Sequence, residues 1–162
     1  MDVQKVALRQ MTPSEYRVAT EIREAETTRE LAELMPEELA RDRARRGTAK
    51  FLPDGLATAR HHLVVAENDS GEAVGTAWIG PDPRTEAGTS TSAWLYHIRV
   101  LPPFRRQGYG SAILTAAERL VAREGMTELA LNVFGGNEAA IALYRRSGYG
   151  VSAMYLSKQV RE

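Results

Sequence analysis

Apolar and polar positions change period several times along the 162 residues, and each change marks an element. Val3–Met11 (VQKVALRQM) alternates loosely and reads as a first strand. Thr12-Pro13-Ser14-Glu15 is a capping box with proline at the first helical position. It predicts a helix to about Leu34, densely charged in its second half. Pro36 opens a second, short helix through about Arg46. Phe51–His62 reads as a loop turning at Pro53 and Gly55. His62–Glu67 and Ala73–Ile79 flank Asn68-Asp69-Ser70-Gly71, a hairpin signal. Pro81–Ser92 is a second loop, and Ala93–Leu101 a strand stopped by Pro102-Pro103. From Ser111 to Glu124, the residues Ile113, Leu114, Ala117, Leu120 and Val121 form one helical stripe, ended by Gly125. Glu128–Phe134 reads as a buried strand, Asn137 caps a helix running to Ser147 and closed by Gly148, and Val151–Val160 is a final strand. No repeat or linker interrupts this order, so residues 1–162 are expected to form one α/β domain.

Composition narrows the class. Apolar residues make up 43% and charged residues 26%, an ordinary globular balance. No apolar run approaches the ~18 residues of a membrane span, so no membrane partner is expected. The start of the chain carries Asp2, Lys5 and Arg9 and no apolar core of a secretory signal. There is no cysteine, which excludes disulfides, thiolate nucleophiles and cysteine zinc sites. That suits a reducing compartment, and the expected location is the cytoplasm. Twenty-one basic residues balance 21 acidic ones, so no global field draws in nucleic acid, and none is expected as a partner. One asymmetry remains: between Ala87 and Ala117 stand Arg99, Arg105 and Arg106 without a single acid. A compact anion fits that scale.

The chemistry concentrates in IRVLPPFRRQGYGSAIL, Ile98–Leu114. A strand ending in Ile98, Arg99 and Val100 runs through a tight turn into Arg105, Arg106, Gln107, Gly108, Tyr109, Gly110 and Ser111, where a helix opens. Gly108 and Gly110 lack a Cβ, so their amides can turn toward a ligand. Successive amides at a helix start form an anion nest favoured by the helix dipole. The two arginines add charge beside it. These features point to a phosphate or pyrophosphate; the bland alternative is a glycine-rich turn that binds nothing. The pattern GxxxxGK[ST] is absent, and a dinucleotide fingerprint would need a glycine where Ile113 stands.

RRQGYG resembles the R/Q-x-x-G-x-G/A motif of the GCN5-related N-acetyltransferase (GNAT) family, at Arg105, Gly108 and Gly110. IRV followed by V-x-P (Val100–Pro102) is similar to the strand preceding that motif. A second block, NxxAxxLYxxxGY, is matched by Asn137, Ala140, Leu143, Tyr144, Gly148 and Tyr149. The resemblance implies a GNAT-like α/β fold, with a mixed central sheet of about six to seven strands flanked by about four helices. It implies an N-acetyltransferase using acetyl-coenzyme A as co-substrate, the pyrophosphate held by the loop amides and the pantetheine arm paired with the Ile98–Val100 strand. Tyr144 is the implied proton donor to the coenzyme sulfur; without the family it reads as a core tyrosine. Asn137 is the implied contact to the pantetheine arm, besides its place as N-cap. The acceptor is a small-molecule amine or a protein N-terminus, no metal is expected, and a homodimer is left open. LPDGLATARHHL (Leu52–Leu63) also looks like an L-P-x-G-L-x-T segment of some bacterial members.

Asn132 departs from the family, several members of which place a glutamate base there, because an amide cannot take a proton. His97, His62, His61 and Glu24 are the alternative candidates, with proton loss to water as another route. Glu21, Glu24, Glu26, Glu30 and Glu33 crowd the first long helix and read as a solvated face; in the family this region walls the acceptor pocket. Trp78 and Trp94 read as strand core. The rival function is a coenzyme A-binding regulatory domain without transferase activity.

Overall fold

The computed structural model describes residues 3–86 and 89–162. Asp2, and Ala87 and Gly88 of the expected Pro81–Ser92 loop, lie outside them. The chain forms two compact units, Met1–Asn132 and Val133–Glu162.

The first unit is built on a five-stranded sheet in the order β1 (Ala7–Gln10), β2 (His62–Glu67), β3 (Ala73–Pro81), β4 (Ser92–Val100) and β5 (Glu128–Ala130). The first three junctions are antiparallel and β4–β5 is parallel. Between β1 and β2 run α1 (Pro13–Leu31) and α2 (Glu37–Phe51); α3 (Tyr109–Arg123) joins β4 to β5. The mixed α/β class agrees with the sequence reading, with fewer strands than the six to seven expected.

Local chemistry explains most boundaries. Thr12 Oγ1 accepts from the Glu15 amide at 3.2 Å and Glu15 Oε1 accepts from the Thr12 amide at 2.9 Å, the reciprocal capping box. Arg9 grips the same carboxylate at 2.8 and 2.9 Å and holds its pKa down at about 2. In the hairpin, Asn68 Oδ1 accepts from the amides of Ser70 and Glu72, both at 3.0 Å, while Gly71 supplies a positive φ of 79°. α2 continues five residues past the expected Arg46. Ala40 and Ala44 are its buried residues, and Thr48 and Phe51 extend their stripe at helical spacing, so packing carries the helix through Gly47.

The two sheet faces are covered differently. Met11, Leu52, Leu63, Val65 and Trp78 cluster on one face with Tyr16, Phe51 and Tyr96, the contribution of α1, α2 and β4. Against the other, α3 buries Ile113, Leu114 and Ala117 completely. Its approach is close: a Cβ on Gly75 would overlap Ile113 Cδ1. Trp78 and Trp94 are both buried core residues.

Two strands depart from expectation. β5 holds only Glu128–Ala130 of the expected Glu128–Phe134, and β1 only Ala7–Gln10 of Val3–Met11. Both lie at the ends of the sheet order and have one neighbour each, so the ladder sets their length rather than apolar content.

The second unit contains α4 (Glu138–Arg146). Asn137 Oδ1 accepts from the Ala140 amide at 3.2 Å, the expected N-cap. Gly148 ends the helix with a φ of 90°, and the Tyr149 amide donates to the Tyr144 carbonyl at 2.9 Å. The expected strand Val151–Val160 is not formed: residues 151–162 have no regular secondary structure and are exposed. An alternating pattern creates a strand only when a ladder partner accepts it.

Asp82 pins the entry to the β3–β4 loop. Its buried carboxylate accepts from the Arg84 amide at 2.9 Å, Arg84 Nη2 at 2.6 Å and Ser92 Oγ at 2.7 Å, which lowers its pKa to about 2. Asp82→Ala should destabilise the fold by about 1.5–3 kcal/mol, the range for hydrogen bonds to a charged group. Because the folded pKa is depressed, this stability is complete above pH ~4, the ordinary carboxylate value, and is lost as pH falls toward 2. Urea titrations of both proteins at pH 7 and pH 2.5 should show a gap that narrows on acidification; a pH-independent gap would refute the assignment.

Candidate active site

β4 is paired on both flanks only at its start. Its ladder with β3 runs from Ala93↔Pro81 to Val100↔Gly75, whereas that with β5 stops after Ser92↔Glu128, Ala93↔Leu129 and Trp94↔Ala130. On the β5 side, Leu95–Val100 have no strand partner among the described residues. In the antiparallel pairing Arg99 turns its backbone groups to Thr76 of β3, as Leu101 does to Val74, so along the open flank the N–H and C=O of Ile98 and the N–H of Val100 are available to an extended ligand. Asn132 follows β5 and is exposed.

The turn after β4 converts this strand into a helix start. The Leu101 amide donates to the Val74 carbonyl at 2.8 Å, and Pro102–Phe104 form a short 3-10 turn. Arg106 then takes a φ of 61° and Gly108 one of 87°, both left-handed. Gly108 is the N-cap of α3; no side chain caps that end, and its first turn holds no acid. The first amides of the helix, Tyr109, Gly110 and Ser111, have no intrahelical acceptor by the geometry of any helix start. An anion there meets several N–H groups and the positive end of the dipole.

The side chains of this segment divide in a way the sequence did not reveal. Arg105 Nε donates to the Val100 carbonyl at 3.1 Å, and Gln107 Nε2 to the Pro103 carbonyl at 3.1 Å. Both therefore brace the turn. Arg106 is exposed, without such a tie to the turn. Tyr109 is core: it is buried, meets Phe104 edge-on at 5.9 Å, and its hydroxyl accepts from Asn68 Nδ2 at 3.4 Å.

The candidate bases occupy different surroundings. His61 Nδ1 accepts from Trp78 Nε1 at 2.9 Å, and burial lowers the ring's pKa. His62 Nε2 lies 2.5 Å from Glu124 Oε1, beyond the end of α3. Glu24 Oε2 accepts from Thr48 Oγ1 at 2.9 Å, tying α1 to α2. His97 Nε2 lies 3.0 Å from Glu26 Oε2, and Arg99 Nε donates to the other oxygen of that carboxylate at 3.2 Å. Sequence reasoning left Glu26 among solvated helix acids; its spacing on α1 carried no signal that β4 would face it. Arg23 of α1 was also missed: it is buried, with its guanidinium 4.6 Å over the Trp78 ring.

In the second unit, Tyr144 lies on α4 and meets the Tyr149 ring edge-on at 5.8 Å. Burial pushes its phenol above the ordinary pKa, so the group stays protonated throughout the neutral range.

Comparison with known proteins agrees with this architecture. The model of the acetyltransferase (GNAT) family matches residues 20–149. The uncharacterized N-acetyltransferase YycN of Bacillus subtilis is 30% identical over 110 residues, covering 68% of this chain and 69% of that protein. Its crystal structure superposes with a TM-score of 0.87 at 26% identity, covering 98% of this chain and all (100%) of that one. YdgE, an uncharacterized N-acetyltransferase of the same organism, is 27% identical over 124 residues, 76% of this chain and 77% of that protein. The PaiA N-acetyltransferase of Thermoplasma acidophilum, solved in complex with coenzyme A, shares the fold with a TM-score of 0.67 at 15% identity, over 93% of each chain. The sheet, the turn into α3 and these matches define an acetyltransferase class. The chain belongs to the GNAT family, and as an enzyme it is an N-acetyltransferase.

The left-handed conformation at Gly108 has a measurable cost for any other residue. Gly108→Ala should lower stability by about 1–2 kcal/mol, the penalty of a Cβ in the left-handed region. Open space around the glycine, with Gln4 Cγ 3.6 Å from a built Cβ, makes backbone strain the main cause. Denaturant unfolding checks this, and an unchanged midpoint would refute the assigned conformation.

Proposed function

We propose that the protein transfers the acetyl group of acetyl-coenzyme A to a primary amine, carried by a small molecule or a protein N-terminus, by direct attack. One observation carries the reading: a strand unpaired on one flank runs directly into an uncapped helix N-terminus. That pair suits an extended arm ending in a pyrophosphate. Family membership supports the same co-substrate, and PaiA, which shares the fold, has been solved with coenzyme A.

In this reading the amides of Gly108–Ser111 receive the pyrophosphate, with the exposed Arg106 adding charge. Ile98 and Val100 pair with the pantetheine arm, while Arg99 between them keeps its main chain on β3, and the Ile98 and Val100 amides stabilise the oxyanion as the amine attacks the thioester carbon. Asn137 contributes to the arm's binding and Tyr144 protonates the departing sulfur. A phenol kept neutral by burial suits that donor role. Arg105 and Gln107 act indirectly, by fixing the turn.

Gly108→Val should raise the dissociation constant for acetyl-coenzyme A at least tenfold, about 1.4 kcal/mol, in a protein that remains folded by circular dichroism. Unchanged calorimetric affinity would remove the loop from the binding site.

Tyr144→Phe keeps the ring and its packing but removes the proton. Acetyl-coenzyme A affinity should hold while turnover falls by roughly 10²–10⁴. Because burial raises the phenol's pKa, the falling limb of the wild-type pH profile should lie above pH ~10, the ordinary value. Turnover within a few fold of wild type would assign Tyr144 to packing alone.

A further inference from the structure

An amine must shed a proton before its lone pair can attack, and an alkylamine is an ammonium at neutral pH. Asn132 cannot accept that proton. Among the groups considered, three are committed elsewhere. His61 spends its Nδ1 lone pair on the Trp78 N–H, leaving Nε2 to carry the ring proton of the neutral form. His62 meets Glu124, beyond the end of the α3 helix. Glu24 joins two helices through Thr48.

His97 is held differently. It and Arg99 stand two residues apart on β4, hence on one face, opposite Trp78 and Thr76 of β3. Both reach the one Glu26 carboxylate of α1, at 3.0 and 3.2 Å. Glu26 is kept ionised, its pKa lowered first by the hydrogen bond with His97 and further by Arg99. An ionised carboxylate only accepts, so the neutral imidazole facing it carries its proton on Nε2 and its lone pair on Nδ1. Arg99 already balances the charge of Glu26, so the ring is not obliged to be charged beforehand. One-fifth of the His97 side chain is exposed.

We propose that His97 Nδ1 is the proton acceptor for the incoming amine and that Glu26 is its positioning residue, fixing ring tautomer and orientation and stabilising the imidazolium that forms. This rests on the acetyl-transfer reading, which places the thioester along Ile98–Val100, next to His97 in the chain. The ammonium gives one proton to Nδ1, and the freed lone pair forms the C–N bond at the thioester carbon. The C–S bond then breaks, the nitrogen loses its second proton as the thiolate gains one, and the imidazolium returns its proton to water. The charged and titratable groups around the ring are Glu26 and Glu30 of α1, Arg99 of β4, and Arg23 over the neighbouring Trp78. Burial, and then Glu26, raise the pKa of Glu30.

The test uses acetyl-coenzyme A with spermidine, tyramine, glycinamide and an alanine-initiated peptide, following thiol release from pH 6 to 10. For any amine the wild type accepts, His97→Gln and Glu26→Gln should each lower kcat at pH 7 by roughly 10²–10³, with the acetyl-coenzyme A KM within about threefold. Combined, they should do no more than His97→Gln alone. His97→Gln should regain activity toward the amine's own pKa near ~10, and Glu26→Asp should recover much of the rate. Nitrogen-15 spectra of the imidazoles should show the Nε2-protonated tautomer at His97. Full turnover at pH 7 by folded His97→Gln would overturn the base and leave the acetyl-transfer reading standing. An Nδ1-protonated ring, or full turnover by Glu26→Gln, would overturn the role of Glu26. A wild type that binds acetyl-coenzyme A yet acetylates none of the four amines would overturn both the base and the reading it rests on.

Discussion

A β-strand must satisfy the hydrogen bonds of two flanks, and β4 is paired on both only at Ala93 and Trp94. Its ladder with β3 is nearly complete; its ladder with β5 ends at Trp94↔Ala130. Backbone groups stripped of a partner are costly away from water. A stretch of main chain left in this state is therefore a place where an extended ligand gains most. The other features of the candidate site follow from where this strand leads.

It leads into a turn that reverses the local handedness. Val100 ends the strand, two prolines prevent its continuation, and Arg106 and Gly108 adopt positive φ before α3 begins. The side chains that look most suited to an anion are only partly used that way. Arg105 and Gln107 are consumed by carbonyls of the turn, which leaves the main-chain amides as the principal anion donors. A rigid backbone nest needs no side-chain ordering when a ligand arrives, and that lowers the entropic cost of binding.

The face of β4 toward α1 has a separate character. Arg23, Trp78 and Tyr96 stack there, with Tyr96 and Trp78 parallel at 4.5 Å and the Tyr96 phenol pushed up to about 12 by burial. Beside them Glu26 gathers His97 and Arg99. Charged groups in such a partly dry setting are held by geometry, since each loses water it must replace with a partner. One strand thus offers main-chain groups on its open flank and ordered titratable groups on one face.

Much of this was readable from residue order alone. Helix starts at Thr12 and Asn137, the Asn68–Gly71 hairpin and the strand–turn–helix around Gly108 are encoded by neighbours within a few positions, where side chains bond to nearby backbone whatever the rest of the chain does. The family blocks are local for the same reason. What the sequence left open was settled by partners distant in the chain. β5 stops at Ala130 and Val151–Val160 forms no strand, because a ladder depends on a second chain segment and not on alternation. α2 runs to Phe51 because a helix end follows the packing stripe. Glu26 meets His97 at a separation of 71 positions, and no spacing rule connects a helix acid with a strand histidine so far away. Only the packing of α1 onto β4 decides that they share a proton.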